Sequence, residues 1–219
     1  MKKRRKSLTF TDKTIKINPD NPESDLIAVA ARIIQDGGTV VFPTRSLYGL
    51  GVDAFNTEAI NKVFSIKQRS LNKPVSVLVG CTTDVFSLVR RVPKEALLIM
   101  NRFWPGQITI VFEAKDSLLG NLTAKTGKIG IRIPEQKVAL KLVKKVKVPI
   151  TATSANLSGH PGCSNIGKLN SDLVHNVDCI LDAGQLKGKS GSTVIDVTVE
   201  PLKVLREGEI TAREIFEVI

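Results

Sequence analysis

Hydrophobic and polar positions along the chain alternate between helical spacing and the short apolar runs of buried strands. Between Asn21-Pro22 and Gly37-Gly38 the apolar positions recur every three to four residues. This spacing predicts a helix capped by Asn21, with Pro22 at its first position. Residues 39–42 are a short apolar run that ends at Pro43, which predicts a buried strand. We expect a loop of the functional site directly after this strand.

The alternation continues to the end of the chain. A helix is predicted around Ile60, Val63 and Phe64 and ends at Lys67-Gln68-Arg69, so these two cations lie where a helix passes into a strand. Strands are predicted at residues 74–79, 108–112, 130–134, 149–153, 178–182, 192–197 and 203–206, and helices near 96–103, 136–145 and 212–218. The pattern predicts an α/β fold with mixed connections.

The domain organisation follows from the same pattern. We expect a basic tail and lead-in over residues 1–20 and a single catalytic domain over residues 21–219, because no stretch is long or polar enough for an interdomain linker. The glycine- and lysine-rich residues 184–192 are expected to form a mobile surface loop that could act as a lid.

The charge of the chain favours an anionic partner. The 219 residues carry a formal net charge of +11, and residues 2–6 are all basic. Nucleic acid, nucleotides and acidic lipid headgroups all fit this charge, and charge that serves solubility alone is a further alternative. The basic tip is interpreted as a solvated tail, with contact to RNA as the alternative.

Several classes of protein are disfavoured. The three cysteines have no Cys-x-x-Cys spacing, and the two histidines have no partners at zinc-site intervals, so neither a disulfide framework nor a metal cluster is expected. No apolar segment reaches the ~18 residues of a membrane span, and no membrane partner is expected. A cytoplasmic protein is therefore predicted.

Three segments come close to known nucleotide motifs and are rejected. Residues 162–169 have P-loop spacing, but Leu169 replaces the hydroxyl that would hold magnesium. Residues 184–190 are one residue short of a P-loop. Residues 49–54 satisfy a loose dinucleotide pattern, but they do not follow the strand directly and lack the later ribose-binding acid.

A more informative pair of motifs is Ser154-Ala155-Asn156 and Lys67-Gln68-Arg69. The first is a polar loop after a predicted strand and supplies hydroxyl, amide and backbone N–H groups. The second supplies two positive charges. Together these groups suit a triphosphate, which predicts a nucleotide-handling enzyme.

Seven motifs occur in an order that resembles a known family. They are PTRSLYGLG (43–51), KQRSLNKP (67–74), WPGQIT (104–109), GIRIP (130–134), TSANLSG (153–159), STVID (192–196) and LREG (205–208). The chain is similar to the YrdC-like family, which includes the threonylcarbamoyl-AMP synthases, in its short single-domain form. The resemblance implies an open, twisted, mixed sheet with helices on its faces and a large electropositive concave surface.

The resemblance also implies a reaction and its partners. L-threonine, bicarbonate and ATP would give threonylcarbamoyl-AMP and pyrophosphate, for the threonylcarbamoyladenosine modification of tRNA. Magnesium would arrive with ATP rather than be held by the protein. A downstream threonylcarbamoyl transferase complex would use the product, and a basic surface could contact tRNA or another RNA.

Individual residues take their expected roles from this resemblance. Lys67 and Arg69 would be catalytic, by gripping the phosphates. The ATP-binding set is Lys67, Arg69, Ser154, Asn156, Ser164, Ser192 and Arg206. The threonine-binding set is Thr44, Ser76, Arg132 and Thr153. Arg132 also has an argument of its own, because a charge between Ile131 and Ile133 in a strand points to the opposite face, where it could clamp a carboxylate.

The sequence departs from the family pattern at three positions. Arg45 stands where many relatives have an acid, and Ser70 and Gln107 stand where many have proline. Arg45 is expected to add positive charge beside the amino-acid pocket. The alternative function is that of a YciO-like paralogue, an RNA-binding or regulatory protein without synthase activity.

Overall fold

The computed structural model describes residues 10–118, 120–188 and 191–219. The basic residues 2–6 lie outside the described residues. The helices are α1 (Phe10–Lys13), α2 (Ser24–Gln35), α3 (Thr57–Ile66), α4 (Val85–Leu88), α5 (Lys94–Phe103), α6 (Gly120–Thr123), α7 (Lys137–Val146), α8 (Ser171–Asn176) and α9 (Ala212–Phe216).

The strands form one sheet of mixed direction. They are β1 (Thr14–Lys16), β2 (Val40–Pro43), β3 (Tyr48–Gly51), β4 (Ser76–Leu78), β5 (Ile108–Glu113), β6 (Lys128–Arg132), β7 (Ile150–Ser154), β8 (Cys179–Asp182), β9 (Thr193–Asp196) and β10 (Lys203–Arg206). Their order in the sheet is β1-β8-β2-β3-β7-β4-β6-β5-β9-β10. Four neighbouring pairs of the described sheet are parallel (β1/β8, β2/β8, β4/β6 and β5/β9), and the other five are antiparallel. The predicted α/β fold with mixed connections is confirmed.

Alternating side chains of the strands build a core on each face of the sheet. In β2, Val40 and Phe42 pack on the face that is covered by α2 and α7, while Val41 packs on the face that is covered by α3 and α5. Apolar stripes on α2 and α7 provide the cover, because residues three and four apart lie on one side of a helix. The lysines of α7 are exposed on its outer side, and its buried inner side is apolar.

The predicted start of the first long helix was wrong. The first long helix begins at Ser24 rather than at Asn21-Pro22, because Asn18 and not Asn21 organises the preceding turn: its Oδ1 accepts from the N–H groups of Asp20 and Asn21, each at 2.9 Å. The expected loop directly follows β2, and Tyr48–Gly51, for which no element was predicted, then form β3 with all four residues buried.

The lead-in to the domain contributes to the sheet. Residues Thr14–Lys16 pair in parallel with β8, and Ile17 is buried. The division into a tail and a single catalytic domain stays a prediction. Across the described ranges, every helix is too short or too polar to cross a lipid bilayer.

A substitution at Gly51 tests how closely β2, β3 and β7 pack. A Cβ atom at this position would lie 2.7 Å from Phe42 Cε1 and 2.7 Å from the carbonyl oxygen of Thr151. We expect Gly51→Ala to lower the free energy of unfolding by about 1–3 kcal/mol, because neither the ring nor the strand backbone has room to move. Urea denaturation measures this change.

Gly120→Ala is the matched control, since its added Cβ would meet only Lys125 Cγ, at 3.8 Å. Its stability should stay within about 0.5 kcal/mol of the parent. Equal stability of the two variants would contradict the packing described for Gly51.

Candidate active site

A cleft of about 350 Å³ opens on one face of the sheet. It is lined by the loop after β2, by parts of β3 to β7, and by the segments around β9 and β10. Nine of the residues predicted for the site line it: Thr44, Arg69, Ser76, Arg132, Thr153, Ser154, Asn156, Ser192 and Arg206. Segments that are distant in sequence therefore bring hydroxyl and guanidinium groups to one hollow. The two remaining predicted residues, Lys67 and Ser164, do not line it.

Strand register explains why these side chains meet. Ser76 of β4 pairs with Ala152 of β7, and Ser154 of β7 pairs with Gly49 of β3. Directly paired residues, and residues two apart in one strand, share a face of the sheet. Gly130 continues the same floor, since a Cβ there would lie 2.9 Å from Ser76 Oγ. The absence of a side chain at Gly49, which lines the cleft, and at Gly130 leaves space for the side chains around them.

Arg132 lies at the end of β6, between two core residues. Ile131 and Ile133 are buried in the core, and Arg132 points to the cleft, so the predicted alternation is confirmed. Burial and the nearby charge of Arg206 lower the pKa of Arg132 to about 10, with Glu135 acting in the opposite direction. The guanidinium therefore stays protonated at neutral pH and favours an anion beside it.

Arg206 lies across the cleft at the end of β10. Its Nε and Nη2 atoms donate to the carbonyl oxygen of Ser192, at 3.1 and 2.6 Å. The Ser192 hydroxyl lies 2.8 Å from Thr109 Oγ1 and 3.3 Å from Arg206 Nη2. These bonds fix the guanidinium against β9, and burial lowers its pKa. Ser192 thus holds Arg206 in addition to lining the cleft.

Lys67 lies beneath the cleft. Its side chain is buried, and its Nζ donates to Asn156 O at 2.7 Å, to Asn156 Oδ1 at 3.0 Å and to Ser154 O. Its own carbonyl oxygen accepts from Ser158 N at 2.8 Å. Lys67 therefore holds the 154–158 turn by its side chain and by its backbone. Lys67 does not line the cleft in this structure, and all three of its ammonium donors have protein acceptors, so its expected contact with a ligand stays a prediction.

The ionisation of Lys67 reflects this position. Burial, with a contribution from the charge of Arg69, lowers the pKa of Lys67 to about 8. The ammonium form predominates at neutral pH and supplies the three N–H donors that the turn requires.

The side chain of Asn156 also belongs to the turn. Its Oδ1 accepts from Lys67 Nζ and from the Ser154 hydroxyl, and its Nδ2 donates to His160 O. The amide therefore shapes the loop that follows β7. Ser154 still presents its hydroxyl oxygen to the cleft as an acceptor.

Arg69 faces the cleft two residues after Lys67. Gln68 between them has a φ of 51°, a left-handed conformation that is uncommon outside glycine. This turn directs Lys67 into the protein and Arg69 to the cleft wall. Arg69 is anchored by bonds from Nε to Lys73 O at 3.2 Å and from Nη2 to Pro74 O at 2.8 Å.

Ser164 lies in a neighbouring hollow that shares Asn156 and His160 with the main cleft. Its Oγ accepts from Gln185 Nε2 at 3.1 Å, and its carbonyl oxygen accepts from Leu186 N at 2.8 Å. In this structure Ser164 therefore anchors the predicted surface loop, of which residues 189 and 190 lie outside the described ranges.

The sequence had led us to expect that Arg45 adds a free positive charge beside the amino-acid pocket. The structure contradicts this expectation. Arg45 is absent from the described lining, and its guanidinium pairs with Glu135 at 2.7 Å and with Glu209 at 2.9 Å. The hydrogen bond to Glu135 is the main cause that raises the pKa of Arg45.

The lining also includes polar side chains to which the sequence assigned no role, among them Ser46, Gln107, Thr109 and His160. Thr109 and Gln107 belong to the WPGQIT motif, so the motif carried a signal, but strand register was needed to show which of its side chains face the cleft. No Asp or Glu side chain is found among the described lining residues, and no group of three or more potential metal ligands lies together anywhere in the described ranges.

The fold and the cleft define an α/β protein whose site is built for an anionic ligand. The Sua5–YciO–YrdC family model, which is described as telomere recombination, matches residues 32–208. The chain therefore belongs to this family, and the resemblance inferred from the sequence is confirmed.

Individual relatives agree with this assignment. The chain is similar to a threonylcarbamoyl-AMP synthase of Pyrococcus abyssi, with 34% identity over 88% of this chain and 57% of the relative. It also resembles the crystal structure of P. abyssi Sua5 complexed with L-threonine, with a TM-score of 0.90, 32% identity, and coverage of 94% of this chain and 60% of that one. The chain thus spans less than two thirds of the length of these relatives.

A second solved structure matches over nearly its whole length. E. coli YciO has a TM-score of 0.85 at 27% identity, with 93% of this chain and 98% of that chain covered. The expected YrdC-like sheet with helices on its faces is confirmed by these likenesses. The electropositive character of the concave surface stays a prediction, although three arginines line the cleft.

Substitution of Lys67 tests its structural role. We expect Lys67→Met to lower the free energy of unfolding by about 2–4 kcal/mol, because the substitution removes the donor to Asn156 O and one of the two donors to each of Ser154 O and Asn156 Oδ1. Chemical denaturation monitored by circular dichroism gives this value.

Lys62→Met is the control, because Lys62 is an exposed lysine of the same helix that donates to Gly37 O. Its stability should change by less than about 0.5 kcal/mol. A Lys67→Met protein as stable as this control would refute the role of Lys67 in holding the turn.

Proposed function

We propose that this protein is an L-threonylcarbamoyladenylate synthase that uses L-threonine, bicarbonate and ATP. The observation that carries the proposal is the convergence of Arg69, Arg132 and Arg206 with several hydroxyl groups in one cleft whose described lining has no carboxylate. Such a site stabilises several negative charges together. Membership of a family with relatives named threonylcarbamoyl-AMP synthase supports this choice of reaction.

The chemistry requires positioning and charge rather than a protein nucleophile. The neutral amine of threonine attacks the carbon of bicarbonate, and loss of water leaves the N-carboxylate. An oxygen of this carbamate then attacks the α-phosphorus of ATP, the bond between the α-phosphorus and the bridging oxygen breaks, and pyrophosphate leaves. Cations and hydroxyl donors that hold these anions in line supply the catalysis.

Different residues of the cleft suit the two larger substrates, L-threonine and ATP. Arg132 is buried at the floor, where it would bind the carboxylate of threonine, with the hydroxyl groups of Thr44, Ser76 and Thr153 around the rest of the amino acid. The complex of P. abyssi Sua5 with L-threonine supports an amino-acid site in this fold.

Arg69 and Arg206 would bind the phosphates, together with Ser154 and the N–H groups of its turn. We assign Lys67 and Asn156 to holding that turn. Magnesium would arrive bound to the phosphates of ATP. The product would pass to a threonylcarbamoyl transferase that modifies tRNA.

A second candidate is a YciO-like protein that binds RNA or has a regulatory role without this reaction. The observation in its favour is the structural likeness to E. coli YciO, with a TM-score of 0.85 at 27% identity. The net charge of +11 also suits a nucleic acid.

A pyrophosphate-release assay separates the two candidates. With the purified protein, we expect pyrophosphate only when ATP, L-threonine and bicarbonate are all present. Arg69→Gln and Arg132→Gln should each lower kcat/KM by about 100-fold or more, because each removes a charged contact to a reacting anion.

Arg213→Gln is the matched control, since Arg213 is exposed and pairs only with Glu217 in the described structure. Its activity should equal that of the parent. Release of pyrophosphate that does not depend on threonine, together with tight and strongly salt-dependent RNA binding, would favour the YciO-like candidate instead.

A further inference from the structure

A chain of polar contacts leads from outside the cleft to Arg132. It starts at Arg45, whose Nη1 donates to Glu135 Oε1 at 2.7 Å and whose Nη2 donates to Glu209 Oε1 at 2.9 Å. One guanidinium thus joins the loop after β2, the segment after β6 and the segment after β10. All three side chains are about two thirds buried or more, with exposed fractions of 33%, 32% and 26%.

Gln107 continues this chain into the cleft. Its Nε2 donates to the same Glu135 Oε1 at 3.0 Å, and its Oε1 accepts from Arg132 Nη1 at 3.3 Å. An amide has its donor and its acceptor on opposite arms, so the bond to Glu135 turns the amide oxygen toward Arg132. Within the described structure, this is the single hydrogen bond found for the Arg132 guanidinium.

The charges of the side chains in this series of contacts determine how the Gln107 amide affects Arg132. Burial acts to raise the pKa of Glu135, but the hydrogen bonds from Arg45 and Gln107, with the charge of Arg45, lower it below its ordinary value. Glu135 is therefore ionised, and it shares the positive charge of Arg45 with Glu209. Gln107 is neutral, so it orients Arg132 without cancelling its positive charge. A carboxylate at position 107 would form an ion pair with Arg132 and compete with an anionic ligand.

We propose that Gln107 is a positioning residue that aims Arg132 at the carboxylate of the amino-acid substrate, and that Glu135 and Arg45 hold Gln107 in place. The identity of that substrate rests on the function proposed above. Arg45 and Gln107 together favour a carboxylate ligand. They fix the guanidinium of Arg132 and leave its positive charge available to the ligand. Glu209 extends the same network to the segment after β10.

Gln107→Glu gives the sharpest test, because the two side chains are nearly the same size and differ in charge. We expect the KM for L-threonine in the pyrophosphate assay to rise by about tenfold or more, while the KM for ATP changes by less than about twofold. A general loss of folding would not separate the two constants in this way. Gln107→Leu should raise the KM for L-threonine by a smaller factor, because it removes the orienting bond but adds no competing charge.

Arg45 provides a second, independent test. Arg45→Met should raise the KM for L-threonine, and Arg45→Lys should restore part of the loss, because a lysine can hold one of the two carboxylates. Arg91→Gln is the matched control: Arg91 pairs with Glu113 and does not line the cleft, and its KM values should equal those of the parent. Isothermal titration with L-threonine reports the same site without turnover, and circular dichroism checks the fold of each variant.

The outcomes separate this inference from the proposed function. A parent protein that neither binds L-threonine nor needs it for pyrophosphate release would overturn the function and, with it, the assigned ligand of Arg132. A threonine-dependent parent with an unchanged KM for L-threonine in Gln107→Glu would overturn the positioning role alone. Equal rises in the KM values for threonine and ATP would also overturn it. If Gln107→Glu does not fold, the comparison of Arg45→Met with Arg45→Lys decides in the same way.

Discussion

The buried ammonium group of Lys67 is the contact on which the architecture of the cleft depends. It lies at the end of α3, and its three donors reach carbonyl and amide oxygens of the turn after β7. Oxygen atoms of a partly buried turn need hydrogen-bond donors. One charged nitrogen donates to three of them here. The same short segment then turns at Gln68 and places Arg69 on the cleft wall. Support for the turn and a cation on the cleft wall thus come from two residues of the same short segment that point in opposite directions.

The local pattern of apolar and polar residues was sufficient to predict most of the helices and strands. The bounds of β10 match the predicted strand, and α7 begins one residue after the predicted start, with Gln136 as its cap. The direction of Arg132 followed from strand alternation alone. Short elements were missed where packing rather than pattern decides. No element was predicted at Tyr48–Gly51, yet these residues form a strand, and Phe42 and the backbone of β7 pack closely against Gly51.

The roles of charged residues were harder to predict, because their partners are distant in sequence. Lys67 resembles a ligand-binding cation until the carbonyl groups 87 and 89 residues later are placed around it. Arg45 resembles a free charge until Glu135 and Glu209, 90 and 164 residues away, neutralise it. A one-dimensional pattern gives the charge of a side chain, but only the tertiary fold determines whether that charge is available.

The position of Arg206 and Glu209 in the chain has a consequence for synthesis. Both residues follow β9, and both take part in the arrangement around the cleft. A ribosome releases the chain from its N-terminus at roughly 5–20 residues per second, so most of the sheet can form before these two residues emerge. The nascent protein therefore cannot assemble the complete cleft until residues 206 and 209 have left the ribosome, and contacts of such long range close late because their loop entropy is large.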